Sequence, residues 1–285
     1  MSPRTRPVPV SLLAALLGAT ALATAPLGAQ TWRTLDVSRQ LHDSALLQVK
    51  VQYGAGRLNL HAAAARVLYD MRLRYDAERT EPLHAFSQSP RSLRLGVRKQ
   101  NVKVPGDRNP AEMRLDLADA VPMELSLELG AVEADLDLSR LRLHRLDLQT
   151  GASEATLRFD SPNPEAMTSM RLEVGAASLK ALRLANANSR EIIVDAGVGN
   201  VELDFGGDWT QDIALDVEVA LGGVRVTVPS DVGVRVEMQK VLGSFEHDGL
   251  VKRDGVFYSD NWDSARHKLR VHAETTLGKF ELNRR

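Results

Sequence analysis

The amino-acid sequence predicts an all-β protein, a single-stacked β-solenoid in which successive turns of the chain form layers in one column. Three observations support this fold class. Most of the chain consists of short runs of alternating apolar and polar residues, separated by glycine, proline, aspartate or asparagine. Long stretches with helical periodicity are missing from the sequence. A glycine followed by an alternating run also recurs along the chain, at intervals of 21 to 24 residues.

The repeat is clearest from residue 130 to residue 243, where successive glycines lie 21, 24, 24, 23 and 21 residues apart. Each unit contains a strand, a glycine corner, a second strand and a return loop. A corner favours glycine because the backbone bends sharply there and because stacked corners leave no room for a Cβ atom. The predicted corner glycines are Gly56, Gly130, Gly151, Gly175, Gly199, Gly222, Gly243 and Gly278.

The run VEADLDL indicates why such units stack. Val132, Ala134, Leu136 and Leu138 fall on one face of the strand, and acidic residues fall on the other. One strand pair cannot bury this apolar face alone, whereas layers about 4.8 Å apart can share a continuous core. We therefore expect the order of the layers in space to follow the order of the sequence. A β-sandwich, which also contains short strands separated by turn residues, is the alternative fold.

Residues 1–29 have the features of a secretory signal peptide. Arg4 and Arg6 precede the apolar run SLLAALLGATALA, which small residues follow. We expect cleavage after Ala29, with Ala23 as the other candidate position and a retained membrane anchor as the alternative. The chain has no cysteine, so core burial rather than disulfides must stabilise an exported fold. The expected location is the periplasm, the cell surface or the medium.

Two continuous modules are expected after the signal peptide, at residues 30–120 and 121–285. The first has weaker repeat marks and contains a surface loop, RKQNVKVPGDRNPAE, at residues 98–112. The spacing becomes irregular again after residue 243. Irregular end units are expected because a solenoid must cover the open edges of its first and last strands.

Several structural motifs resemble those of a known family. GDW at 207–209, GGVRVTVPSDVGVRVE at 222–237, DGVFYS at 254–259 and the closing LGKFEL resemble the LiaF-like C-terminal domain of bacterial envelope proteins. The runs LLQVKVQYGAGRLNLHAA and VLYDMRLRY resemble the toast-rack module often paired with it, and related candidate-adhesin solenoids share the repeat. The resemblance implies a β-solenoid exported to, or held at, the cell envelope, with a binding, scaffold or envelope-stress role.

Patterns that would indicate catalysis or a cofactor are missing from the sequence. The seven histidines form neither a helical pair nor a zinc-protease motif, and the nucleophile motif G-x-S-x-G does not occur. We therefore predict a non-catalytic protein without cofactor or metal. The alternative is an enzyme acting on polysaccharide, which needs aromatic residues near carboxylates. That alternative is less favoured because Trp32, Trp209 and Trp262 lie far apart in the chain.

Charge is unevenly distributed along the chain. Residues 31–110 contain fourteen Lys and Arg against seven Asp and Glu, residues 111–222 contain nine against twenty-one, and residues 223–285 contain eleven against nine. A stack in sequence order would have a basic end and an acidic middle. Export and the overall acidic balance disfavour nucleic acid. The expected partner is an envelope protein, an anionic envelope polymer or a lipid surface, and the expected contact residues are Arg91, Arg94, Arg98, Lys99, Lys103 and Arg108.

Overall fold

β-strands make up most of the described chain and helix is almost missing from it, so the all-β prediction is confirmed. The computed structural model describes residues 31–63, 66–100, 111–240 and 242–285, and the predicted signal peptide lies outside these residues. A short 3-10 helix, Leu184–Ala187, interrupts the strands. The strands are β1 Trp32–Gln40, β2 Leu47–Ala63, β3 Val67–Asp76, β4 Thr80–Gln88, β5 Arg91–Gln100, β6 Glu112–Ala118, β7 Pro122–Asp137, β8 Arg142–Thr150, β9 Glu154–Arg158, β10 Ser169–Leu182, β11 Glu191–Asp204, β12 Ile213–Val228, β13 Gly233–Lys240, β14 Ser244–His247, β15 Leu250–Arg253, β16 Val256–Ser259 and β17 Lys268–Arg284.

The long strands lie parallel and in register, and they form the layers of a β-solenoid. Each layer has one half before its corner and one half after it. Some layers are a single bent strand, such as β10, and others are two strands, such as β8 and β9. From one end of the stack to the other, the layers are β5 with β6, β2, β7, β8 with β9, β10, β11, β12, β17, and β13 with β14. The solenoid prediction is therefore confirmed, and the β-sandwich alternative is wrong.

The layers follow sequence order only in the middle of the stack. From β7 to β12 each layer is the next in the chain. At one end, however, β2 lies between β5 and β7, and at the other end the C-terminal β17 lies between β12 and β13. The expectation that spatial order follows sequence order is thus wrong at both ends. The end layers are covered instead by antiparallel partners, with β1, β3 and β4 at one end and the hairpin of β15 and β16 at the other.

The inward-facing side chains of successive layers form one continuous apolar core. In β7, Val132, Ala134 and Leu136 are all buried, whereas the alternating acidic residues lie on the outer face. Burial of one leucine side chain contributes roughly 1.5–3 kcal/mol of favourable free energy. The alternation that is visible in the sequence therefore identifies the side chains that stabilise the stack.

Buried asparagine side chains connect the return loops of neighbouring layers. Asn186 donates from Nδ2 to the carbonyl oxygen of Phe159 at 2.8 Å and accepts from the backbone N–H of Asp208 at 2.7 Å. Asn163 donates from Nδ2 to the carbonyl oxygen of Leu143 at 2.8 Å. Because these amides satisfy backbone groups that the curved loops would leave unpaired, they keep the loops of successive layers aligned.

The corner glycines form two columns, whereas the sequence alignment predicts one. The first column contains Gly54, Gly130, Gly151, Gly175 and Gly197, and the second contains Gly199, Gly222, Gly278 and Gly243. The strand register places Ala177 beside Gly199, so the alignment of Gly175 with Gly199 is wrong by two residues. Gly56 lies beside Val132 rather than beside Gly130. The misalignment arises because Gly197 and Gly199 are only two residues apart. Either glycine fits the repeat interval of 21 to 24 residues after Gly175.

Candidate functional site

Of the basic residues expected to contact an anionic surface, Arg91, Arg94 and Arg98 have described side chains, and these three have different surroundings. Arg91 pairs with Asp43 at 3.0 Å and also donates to the carbonyl oxygen of Ala45, and its side chain is only 9% exposed. Arg94 lies on the outer face of β5, beside Lys50 of β2. Arg91 therefore holds the segment before β2 in place, while Arg94 faces solvent.

Among the remaining members of this basic set, only the side chain of Arg98 is described. Arg98 forms an exposed ion pair with Glu81 at 3.5 Å. Lys103, Arg108 and the side chain of Lys99 lie outside the described residues. Contact of these six residues with an anionic surface therefore stays a prediction.

A different set of side chains meets at the other end of the stack, where β17 lies beside β13. Tyr258 of β16 is opposite Arg235 of β13, and Arg235 is beside Arg270 of β17. Trp262, in the turn after β16, packs against Tyr258, and Lys268 is the first residue of β17. We call Arg235, Tyr258, Trp262, Lys268 and Arg270 the aromatic–cationic patch.

Three cationic side chains lie close to the two rings of the patch. The ring centroids of Tyr258 and Trp262 are 5.9 Å apart, with an interplanar angle of 63°. Nζ of Lys268 is 5.6 Å and Cζ of Arg270 is 5.9 Å from the Trp262 centroid. Cζ of Arg235 is 6.0 Å from the Tyr258 centroid. These distances are within the range of cation–π attraction, so the cations are held close to aromatic surface.

The carboxylates beside the patch leave it with a positive balance. Asp212 accepts from the guanidinium of Arg270 at 3.1 Å and from the backbone N–H of Lys268 at 3.0 Å. Glu237 pairs with Arg235. The hydrogen bond to Tyr258, together with the Glu237 carboxylate, raises the pKa of Arg235, so its guanidinium stays charged. Three cations therefore face two carboxylates, and within the described chain the Lys268 ammonium has no carboxylate at ion-pair distance.

Short hydrogen bonds fix the turn that carries Trp262. The hydroxyl of Ser259 accepts from the backbone N–H of Val234 at 2.8 Å and donates to the side-chain oxygen of Asn261 at 2.7 Å. Gly233 lies against the same turn, since a Cβ atom there would be 3.3 Å from the Cα of Trp262. The indole is thus placed before any ligand arrives, and such preorganisation lowers the entropic cost of binding.

This patch could not be recognised from the sequence, in which the tryptophans lie far from one another. Trp262 contacts Tyr258, and the ring of Trp209 lies 6.5 Å from that of His267, one residue before Lys268. The available signal was local: the run DGVFYSDNWD is followed within a few residues by RHKLR. Only the position of β17 beside β13 shows that these two runs and Arg235 share one surface.

Signs of metal chemistry or of a membrane helix do not appear in the part of the chain that the structure describes. Groups of three or more His, Cys, Asp or Glu side chains placed to hold a metal ion are missing there. Within the same residues, helices of sufficient length and apolar character to cross a bilayer are also missing. Together, the fold and the patch define a β-solenoid with an aromatic and cationic surface near one end.

This chain belongs to the toast-rack family. The model of the N-terminal domain of toast_rack (DUF2154) matches residues 29–180 and, in a second match, residues 163–227. The first match extends well beyond residue 120, where the sequence analysis placed a module boundary. Significant matches among curated proteins were not found.

Solved structures of bacterial proteins are similar to this chain over most of its length. A candidate cell adhesion protein from Clostridium sporogenes is 16% identical, with a TM-score of 0.46 over 89% of this chain and 100% of that protein. A candidate adhesin from Parabacteroides distasonis is 12% identical, with a TM-score of 0.44 over 90% and 98% of the two chains. A candidate adhesin from Bacteroides fragilis is 10% identical, with a TM-score of 0.43 over 89% and 98%.

Proposed function

We propose that this protein is a non-catalytic, exported binding protein of the bacterial cell envelope that holds an anionic polysaccharide on the aromatic–cationic patch. One observation carries the proposal: Tyr258 and Trp262 lie nearly edge to face with three cations around them. The signal-peptide pattern of residues 1–29 and the cysteine-free composition support export.

The chemistry of the patch suits a chain of acidic sugars. The faces of Trp262 and Tyr258 offer apolar area for the C–H faces of sugar rings, and their polar edges tolerate water. The guanidinium groups of Arg235 and Arg270 can donate paired hydrogen bonds to a carboxylate, sulfate or phosphate substituent. Lys268 adds a compact charge without a carboxylate partner among the described residues. A neutral sugar would use only the rings, so the patch should prefer an acidic polymer.

The alternative, an enzyme acting on polysaccharide, is disfavoured because the carboxylates near the rings form ion pairs. Glycoside hydrolysis needs two carboxyl groups on either side of the scissile bond, one of them able to donate a proton. Asp212 and Glu237 are each paired with an arginine. The oxygens of both carboxylates therefore accept hydrogen bonds from guanidinium groups of the patch. Binding without cleavage is therefore the function that we propose.

Isothermal titration with an acidic polysaccharide, such as polygalacturonate, and with neutral dextran tests the proposal. We expect binding of the acidic polymer only. Trp262→Ala should weaken it about tenfold or more, equivalent to about 1.4 kcal/mol, and Trp262→Phe should weaken it less. Lys268→Ala should weaken binding and reduce its dependence on salt. Lys180→Ala, an exposed lysine on another face, is the matched control.

Two results would overturn the proposal. Equal affinity of the wild type and a folded Trp262→Ala variant would show that the ligand does not use the patch. Accumulation of new reducing ends during prolonged incubation with the polymer would show catalysis, so the protein would be an enzyme rather than a binding protein.

A further inference from the structure

A shallow pocket of about 240 Å³ opens on the antiparallel sheet of β1, β3 and β6, at the end of the stack away from the aromatic–cationic patch. Thr34, Arg72, Arg74, Glu112 and Arg114 line it. Three of these five side chains are arginines, which end in guanidinium groups. This surface is separate from the aromatic–cationic patch, which lies at the other end of the stack.

The strand register brings the three arginines together. Arg72 is directly opposite Arg114 on the neighbouring strand, and Arg74 is opposite Glu112. On the other side, Thr34 of β1 is opposite Arg74. The alternating Met71, Leu73 and Met113 are buried, so all three arginines must lie on the outer face. Like charges directly opposite in an antiparallel pair destabilise a sheet, so an anion between Arg72 and Arg114 would stabilise this pairing.

The local carboxylates compensate only weakly. Arg72 is 3.6 Å from Asp36 and Arg114 is 3.9 Å from Glu112, and the two arginine side chains are 67% and 62% exposed. Long, exposed ion pairs of this kind contribute about 1 kcal/mol at most. Arg74 is oriented differently, because its guanidinium lies 4.0 Å from the centroid of the Trp32 ring. Stacking fixes the plane of that guanidinium beside the pocket.

We propose that Arg72, Arg74 and Arg114 form a binding site for a phosphate group. A tetrahedral oxyanion can accept several charge-assisted hydrogen bonds at once, and guanidinium groups match its geometry. A phosphate between Arg72 and Arg114 would attract both guanidinium groups and so offset their mutual repulsion. The Thr34 hydroxyl is a further hydrogen-bond donor. Glu112 limits the negative charge that the pocket tolerates, which favours a singly charged phosphate ester over a dianion. The phosphate can belong to a phospholipid headgroup or to a soluble or polymeric phosphate ester.

Thermal unfolding in inorganic phosphate, compared with chloride at equal ionic strength, tests the site. Saturating phosphate should raise the melting temperature of the wild type by about 2–4 °C or more, because a ligand that binds only the folded state stabilises it. Arg114→Gln should lose most of this shift. In chloride, Arg114→Gln should melt no lower than the wild type, because it removes the like-charge pair. Arg253→Gln, which changes an exposed arginine of β15 at the other end of the stack, is the control and should keep the full shift.

Vesicle sedimentation separates the two sources of phosphate. Binding of the wild type, but not of Arg114→Gln, to phosphatidylglycerol vesicles would identify a phospholipid headgroup. A phosphate shift that depends on Arg114, without vesicle binding, would identify a soluble or polymeric ester. An equal phosphate shift in the wild type and in Arg114→Gln, or no shift in the wild type, would overturn the site. Trp262→Ala should leave the phosphate response unchanged, so this site and the polysaccharide site can fail independently.

Discussion

Replacing Gly222 by alanine is expected to destabilise the protein by about 3 kcal/mol or more. Gly222 has a φ of +135°, and a Cβ atom there would overlap the carbonyl oxygen of Gly199 in the neighbouring layer. The backbone conformation alone costs roughly 1–3 kcal/mol for a residue with a side chain. The overlap adds to this cost because the carbonyl belongs to backbone that is fixed by its own layer.

The next residue provides a matched control, since Gly223→Ala should change stability by less than about 1 kcal/mol. Its φ is not positive, and the nearest atom to an added Cβ is the side-chain oxygen of Asn200 at 3.3 Å. Alanine there also reduces the conformational entropy of the unfolded chain. Urea unfolding of both variants measures the difference. Equal midpoints for Gly222→Ala and Gly223→Ala would show that the corners are not stacked as described.

Phe280→Ala is expected to cost about 3–5 kcal/mol, because it removes a fully buried aromatic ring and leaves a cavity. Phe280 lies in β17 and is inaccessible to solvent, and its ring centroid is 5.7 Å from that of Phe245. Thr276→Ala, four residues earlier in the same strand and exposed, should cost less than about 0.5 kcal/mol. The free energies of unfolding of the two variants test whether β17 is an interior layer. A loss below 1 kcal/mol for Phe280→Ala would contradict that position.

The alternating pattern made the layers predictable from the sequence. Residues that alternate on a strand must face opposite sides, so Val132, Ala134, Leu136 and Leu138 could be assigned to the core, and all four are buried. The period of the repeat also favoured a solenoid over a sandwich, because stacked layers of similar perimeter need similar chain lengths. These features depend on local backbone geometry, and the sequence of each segment determines that geometry.

The order of the end layers could not be predicted in the same way. The runs that form β13 and β17 alternate equally well, and either could pair with β12. The structure places β17 there, while the hairpin of β15 and β16 covers the outer side of β13. This choice depends on covering the exposed strand edge, which is a property of the whole stack. The aromatic–cationic patch was missed for the same reason, since it requires Arg270 beside Arg235.

Charge counts along the sequence were similarly limited. They located a basic segment, but they could not separate the buried, paired Arg91 from the solvent-facing Arg94. The sequence also could not show that Arg72 lies opposite Arg114, because this pairing depends on the register of β3 and β6. Long charged side chains acquire their roles from cross-strand neighbours, and those neighbours are distant in sequence.

The insertion of β17 between β12 and β13 is the central claim, since it joins the end layer to the stack and places Arg270 beside Arg235. Cross-linking of engineered cysteine pairs tests it directly, because the chain has no other cysteine. Asp216 is beside His272, and His272 is beside Glu237. Adjacent layers are about 4.8 Å apart and alternate layers about 9.6 Å apart, whereas a disulfide needs Cα atoms within about 7 Å.

Under mild oxidation, the double variant Asp216→Cys with His272→Cys should form an internal disulfide, and Asp216→Cys with Glu237→Cys should stay reduced. Non-reducing electrophoresis and intact mass distinguish the two states. Stacking in sequence order would place Asp216 beside Glu237, 21 residues later in the chain. Cross-linking of the second pair but not of the first would therefore contradict the inserted strand.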